Sequence, residues 1–377
     1  MIDAALSTLP VFGICGYSGS GKTQLIEHLI PRFLADGLSV AVIKHDAHGL
    51  DVDRAGKDSD RLFRAGATVF VHDSKESYLR QPTADNDGVL ARAADFLAQD
   101  HDLVIVEGHK QTALPAKLWL RGPSGDDAPA ETGQVMTTLD RDVDRSAIAY
   151  ELVAGWLLER VRRSPVWAGL LIGGRSSRMG QPKHLIQTGG RTWAERIADA
   201  VSPHVEKLCI IGTGDVPAGL ADCPRLPDAP DRRGPTAGML AAMRWQPRVS
   251  WVFAACDMPY VTPEAVGWLI AQRVCGCWAI LPRQTPGDIV EPLLAFYDFR
   301  ARRFLEITDE PRTLANFSRV TTPAIPLAHM EAWRNVNTKK EVERKEGPLP
   351  RLAGHVTGRT TGAEGTAQGT SEAQAPY

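Results

Sequence analysis

The chain has 377 residues, 43% of them apolar and 23% charged, and a formal net charge of −2. The length leaves room for two ordinary domains, and the composition is that of a globular protein with a sizeable core. The near-neutral charge gives no ground for a nucleic-acid or membrane partner, no apolar run approaches the ~18 residues of a membrane span, and the N-terminus lacks the pattern of a secretory signal, so the expected location is the cytoplasm.

VFGIC (11–15) reads as a short buried strand entering a glycine loop, and TQLIEHLIPRFLADG then carries Leu25, Leu29 and Phe33 at helical spacing. Pro31 predicts a kink in that helix and Gly37 a stop. LSVAVI (38–43) and LVIVE (103–107) are further apolar strands, GPSGDDAPAETG (122–133) is a loop by composition, and 142–160 reads as a helix with Ile148, Leu152, Trp156 and Leu157 on one side. The polar RRSP then precedes a new apolar strand at Val166, which divides the chain into a first domain of residues 1–160, a linker at 161–165 and a second domain of 166–345. Strands are expected in the second domain at 166–172, 207–212, 250–256 and 277–281, with a helix over 262–272 opened by Thr262 as cap and Pro263 at its first position. The six cysteines lack zinc-finger spacing, and Cys275 and Cys277 read as ordinary thiols. Residues 346–377 have too few large apolar side chains to offset their ordering entropy and read as a disordered tail. Strands alternating with helices give an α/β class with mainly parallel sheets flanked by helices.

Two stretches carry chemistry. Gly16-Tyr-Ser-Gly19-Ser20-Gly21-Lys22-Thr23 fits G-x-x-x-x-G-K-[ST] between a strand and a helix, the context in which backbone N–H groups and a helix N-terminus wrap a phosphate. Lys22 would neutralise the β- and γ-phosphates and the Thr23 hydroxyl would ligate Mg²⁺. Glu107, at a strand end, would sit near that Mg²⁺. His45, His48, His72 and His109 lack a carboxylate signature and read as surface or hydrogen-bonding residues.

This first half is similar to the MobB family, small phosphate-loop GTP-binding proteins of molybdenum-cofactor synthesis. The likeness rests on the GKT loop, Lys44-His45 with His48, Gly56-Lys57-Asp58-Ser59, Ala65-Gly66-Ala67 and Val106-Glu107-Gly108. It implies a phosphate-loop NTPase-like fold and an accessory GTP-binding module with weak GTP hydrolysis.

The second stretch, LLIGGRSSRMGQPKHLI (170–186), fits no Walker pattern but pairs glycines with Arg175, Arg178 and Lys183. Asp257 ends an apolar strand, and Asp228 precedes the tight Gly234-Pro235 turn and another helix N-terminus, so basic groups and carboxylates meet at strand ends, where open α/β sheets bind ligands. The ordered motifs Leu171, Gly173, Gly174, Ser176, Arg178, Met179, Gly180 and Lys183; Gly234 to Gly238; Cys256 to Pro259; Pro292-Leu293 with Tyr297; and Asn335-Val-Asn337-Thr338 resemble MobA, the molybdenum cofactor guanylyltransferases. Ile172 stands where that family has Ala, Lys339 where it has Pro, and either Thr213 or Asp215 where it has Asn.

The resemblance implies a Rossmann-like nucleotidyltransferase that binds GTP and Mg²⁺ and transfers GMP to molybdopterin, releasing pyrophosphate. Lys183 and Arg178 would meet the triphosphate, Asp257 the Mg²⁺, and Leu171, Ile172, Gly173, Gly174 and Asp228 the nucleotide. It also implies contact with molybdenum-cofactor synthesis proteins and apo-molybdoenzymes. A cytidylyltransferase for the same cofactor, a sugar or isoprenoid nucleotidyltransferase, and a non-catalytic GTP-binding cofactor carrier are the alternatives.

Overall fold

The computed structural model describes residues 4–45, 53–82, 88–173, 180–285, 289–338 and 341. Gly174, Arg178, His48 and the tail at 346–377 lie outside them. Residues 1–337 form one compact unit.

The first sheet has five strands, β1 (Val11–Gly16), β2 (Val40–Lys44), β3 (Leu103–Glu107), β4 (Ala116–Leu120) and β5 (Thr137–Leu139), in the order β2-β3-β1-β4-β5 and all parallel. Helix α1 (Lys22–Ala35), which contains Pro31, and helix α3 (Arg145–Arg163) cover one face, packing Leu25, Leu29, Phe33, Val153 and Leu157 on Phe12 and Ile14. Helix α2 (Val89–Ala98) covers the other, with Leu90 and Ala94 against Val104 and Val106. Both faces are buried, which is why β3 is apolar from Leu103 to Val106 rather than alternating.

Helix α3 runs through Arg163 instead of ending near 160, so only Ser164 and Pro165 stand between it and the second sheet. That sheet comprises β6 (Val166–Leu171), β7 (Lys207–Ile211), β8 (Arg225–Leu226), β9 (Ser250–Ala255), β10 (Ala279–Ile280), β11 (Leu294–Tyr297) and β12 (Val320–Thr321). Its order is β8-β7-β6-β9-β11-β10-β12, with β11 antiparallel to both neighbours. Helix α4 (Trp193–Val201) opens with a capping box between Thr192 and Glu195. Helix α5 (Gly234–Trp245) and helix α6 (Pro263–Ala271) complete the layers, and Thr262 accepts the Ala265 N–H at 3.3 Å as the expected cap of α6.

The halves meet through the residues that precede the parallel strands. Asp102, one residue before β3, is 2% exposed. Its Oδ1 accepts from the Trp278 indole and from Arg300, both at 2.8 Å, and its Oδ2 from Arg319 at 2.6 Å and from the Ser39 backbone and hydroxyl, both at 2.9 Å. Arg300, 6% exposed, is also bonded to Asp298 at 2.7 Å, and Arg303 reaches Asp100 at 2.5 Å. Trp278 precedes β10, Asp298 and Arg300 follow the antiparallel β11, and Arg319 precedes β12, so every partner lies at the same edge of the second sheet.

Burial works to raise the Asp102 carboxyl, but Arg300, the Ser39 N–H, Trp278 and Arg319 outweigh it and hold the group below its usual value. A depressed carboxyl pKa contributes stability that is present above the unfolded value near ~4 and lost as pH falls through the folded value. Removing one partner of a buried ion pair costs about 3–5 kcal/mol, because the other is left uncompensated. Asp102→Ala is therefore expected to lose at least ~3 kcal/mol in denaturant unfolding at neutral pH. A loss under ~1 kcal/mol would contradict the role given to this network.

Candidate nucleotide sites

The first site lies at the C-terminal edge of the first sheet. Gly16 ends β1 with φ +153°, and a Cβ there would come within 2.6 Å of the Leu120 carbonyl, so only glycine lets the chain turn this tightly beside β4. Gly19 and Gly21 are also at positive φ, and Lys22 and Thr23 open α1. The Lys22 ammonium donates to the carbonyls of Gly16 at 3.1 Å and Tyr17 at 2.9 Å, so it lies across the mouth of the loop. Burial lowers its pKa, with Glu107 acting in the opposite direction. Thr23 Oγ1 donates to Glu107 Oε1 at 2.8 Å, and Lys44 Nζ is 3.8 Å from the same oxygen. Ser20 Oγ is buried without a hydrogen-bond partner among the described residues. The structure thus brings together Gly16, Gly19, Ser20, Gly21, Lys22, Thr23 and Glu107.

Two residues that the motif does not mark complete this site. Arg145, at the start of α3, donates to the Ser20 carbonyl at 2.8 Å and to those of Arg121 and Leu139, bracing the loop against the ends of β4 and β5. Lys44 ends β2 and adds a second cation. His45 and His109 pack edge to face with centroids 5.0 Å apart, and burial followed by His45 lowers the His109 pKa. Among the described residues, no three His, Cys, Asp or Glu side chains gather into a metal cluster, and all six cysteines are free thiols.

The second site is a cavity of about 490 Å³ at the C-terminal edge of the second sheet. Leu171, Ile172 and Gly173 from the end of β6, Asp228, and Cys256 and Asp257 after β9 line it, together with Lys183 and the N-terminus of α5 at Gly234. Gly212, at φ +106°, follows β7 so closely behind this wall that a Cβ would come within 2.0 Å of the Ile172 carbonyl. The Ile172 N–H in turn donates to the Ile211 carbonyl at 2.8 Å, which ties the end of β6 to the end of β7. Thr213 and Asp215 are both exposed and neither lines the cavity.

Lys183 Nζ lies 3.3 Å from Asp257 Oδ2 and 2.7 Å from Asn337 Oδ1. The backbone N–H of Val336 donates to the Asp257 carbonyl at 2.8 Å. Asp257 Oδ1 is buried with no hydrogen-bond partner among the described residues, a costly state for a carboxylate oxygen unless a cation or donor meets it. Burial raises the Asp228 carboxyl and pushes the Cys256 thiol up to about 11, so that cysteine is a packing residue rather than a nucleophile. Among the described residues that line it, the site supplies the cation Lys183, a carboxylate with an open oxygen, and a helix N-terminus. These groups form no Ser–His or Cys–His catalytic pair among the described residues, and they are of the kind that suits phosphates and a divalent cation.

Known proteins share both halves. Residues 11–137 match the family of the molybdopterin guanine dinucleotide synthesis protein B, MobB, and residues 168–319 the MobA-like NTP transferase domain. A molybdopterin-guanine dinucleotide biosynthesis adapter protein of Haemophilus influenzae is 35% identical over 40% of this chain and 90% of its own length. A molybdenum cofactor guanylyltransferase of Sinorhizobium fredii is 30% identical over 49% of this chain and 92% of its own. A molybdenum cofactor biosynthesis bifunctional protein of Synechocystis is 31% identical over 36% of this chain and 40% of its own. The chain joins a member of the MobB family to a nucleotidyltransferase of the MobA-like family.

Proposed function

We propose that the second half, residues 166–345, transfers GMP from GTP to molybdopterin, and that the first, residues 1–160, binds GTP as an accessory module of the same pathway. The observation that carries the first part is the placement of Lys183 beside Asp257, whose buried Oδ1 has no partner among the described residues, at the floor of a nucleotide-sized cavity. The names of the two sets of relatives, a molybdopterin-guanine dinucleotide biosynthesis adapter and a molybdenum cofactor guanylyltransferase, support a guanine nucleotide and the molybdenum cofactor as the substrates.

In this reading the terminal phosphate of molybdopterin attacks the α-phosphorus of GTP, a P–O bond forms, and the bond to the β-phosphate breaks to release pyrophosphate. The attacking phosphate is already anionic, so no side chain has to remove a proton. Positioning and charge neutralisation carry the step. Lys183 faces the triphosphate, the α5 N-terminus adds its backbone donors, and Leu171, Ile172, Gly173 and Asp228 line the nucleotide. Gly174 and Arg178, which lie outside the described residues, are assigned with them from the sequence. The residues fit Mg²⁺, which takes one or two carboxylates and completes its shell with phosphate and water. Asp257 would hold it, and when bound it would offset charge on the phosphates.

In the first half, the loop from Gly16 to Thr23 would wrap the phosphates of GTP, with the buried Ser20 hydroxyl and the Lys22 ammonium turned to them. Thr23 and Glu107, already hydrogen-bonded to each other, would hold a second Mg²⁺. Molybdenum-cofactor synthesis proteins and apo-molybdoenzymes are the partners such a pair of modules would serve.

Incubation with Mg²⁺, molybdenum-loaded molybdopterin and equal GTP and CTP is expected to give a guanine dinucleotide, identified by mass. A cytosine product would overturn the choice of base, and GTP binding without product would favour a carrier. Lys183→Ala should slow turnover by roughly 10²–10³-fold, the scale of losing one charge-stabilising donor. Asp257→Ala should abolish turnover, and near-wild-type rates in either variant would remove that residue from the reaction.

A further inference from the structure

Lys183 reaches the second cavity from a single turn of 3-10 helix, Lys183–Leu185. Such a turn holds itself weakly, because its hydrogen bonds are few and poorly aligned. Here they are the Leu185 N–H on the Pro182 carbonyl and the Ile186 N–H on the Lys183 carbonyl, both at 3.1 Å. The place of the lysine therefore has to come from contacts with other segments. One is at Ile186, which is buried and whose carbonyl accepts from the Trp193 N–H at 2.9 Å where α4 opens.

A second contact comes from His184. It follows the lysine directly, belongs to none of the motifs, and is only 2% exposed. Its Nε2 lies 2.9 Å from the Asp215 carbonyl. A carbonyl oxygen only accepts, so Nε2 carries the proton. Asp215 belongs to the loop that follows β7, and that loop is also held to β8: the Gly212 N–H donates to the Leu226 carbonyl at 2.9 Å and the Arg225 guanidinium to the Gly214 carbonyl at 2.7 Å. The imidazole lies against Gly214, where a Cβ would come within 3.3 Å of the ring. The Thr213 carbonyl stands 3.7 Å from the place of a Cβ on Gly173, which lines the cavity. One buried ring thus joins the lysine's turn to a loop that is fixed to β8 and lies beside the wall of the same cavity.

We infer that His184 is a positioning residue: its Nε2–H ties the turn to the β7 loop, and so sets where the Lys183 ammonium stands relative to Asp257 and the phosphates. The inference rests on the transfer reaction proposed above. The role needs one N–H donor at the reach of Nε2 and nothing else of the imidazole. Glutamine at 184 presents an amide N–H at a similar reach. Leucine keeps the buried volume filled and discards the donor, so its effect is not that of an emptied core.

Two measurements on the full chain test this. In the transfer assay, His184→Leu should lower kcat by about 10-fold or more with the KM for GTP changed less than about 3-fold, and His184→Gln should stay within about 3-fold of wild type, since a misplacement of about 1 Å is enough to cost that much in rate. In hydrogen exchange without substrate, the Ile186 amide, which reports the turn through its bond to the Lys183 carbonyl, should exchange about 10-fold faster in His184→Leu and at the wild-type rate in His184→Gln, with the amides of β9 unchanged in both. The exchange result stands whether or not the wild-type chain turns over molybdopterin, so a failure of the functional reading is separable from a failure of this one. An unchanged Ile186 amide in His184→Leu, or a normal kcat beside a faster amide, overturns the proposal. So does His184→Gln as impaired as His184→Leu, which would assign the role to the ring and not to its donor. Equal acceleration of the β9 amides would reduce His184 to a contributor to global stability.

Discussion

Asp102 is a carboxylate taken almost wholly out of water, and it keeps its charge because two arginines and an indole from the other half of the chain point at it. Burying such a network adds little net stability compared with a well-packed apolar contact, but it is intolerant of misalignment. Its consequence is geometric. The residues it joins precede β2, β3, β10 and β12 or follow the antiparallel β11, so the halves dock through the same edge of each sheet. The opposite edges, where the parallel strands end, carry the two candidate nucleotide sites. The docked bases therefore turn the two sites away from each other. Joining the modules in one chain raises the concentration of each near the other, yet it does not place the two phosphate loops face to face.

Both sites are built from one local solution. A buried parallel strand ends, glycines at positive φ let the backbone turn sharply, and a lysine and a carboxylate meet at the turn. In the first site Glu107 accepts from Thr23 and lies near Lys44, with the Lys22 ammonium on the loop's own carbonyls beside them. In the second Lys183 pairs with Asp257. What differs is the wall behind them. The first has a short helix-capped loop braced by Arg145, suited to wrapping phosphates. The second has a cavity lined by Leu171, Ile172 and Gly173, with Gly212 packed behind that wall and room for a whole nucleotide.

Strands with a continuous apolar run were legible in the sequence: LVIVE forms β3 over the residues expected, because a strand buried on both faces has no polar position until its end at Glu107. The strand AKLWL of β4 was not read, because Lys117 interrupts its pattern. In the structure that lysine is buried, with its ammonium on the carbonyls of Lys110 and Thr132. Glycine, lysine and acid positions of both sites were legible through motif spacing. The Asp102 network was not, since its arginines stand 198 and 217 residues away and no local pattern marks a contact of that range. Arg145 was missed for the same reason: it reaches the first site across the fold, from a segment that looks ordinary.

The most direct test of this account is the distance between the two sites. Gln111 follows β3 on the first site's edge, Arg233 caps α5 on the second, and both are exposed. Spin labels on Gln111→Cys and Arg233→Cys, in a chain with the surface-reaching Cys223 and Cys275 replaced by serine, report that distance by pulsed electron resonance. Strands of about six residues rise roughly 20 Å in each half, so base-to-base docking predicts one narrow distribution at about 40 Å or beyond. A distribution centred below about 25 Å, or one too broad for a fixed interface, would contradict it.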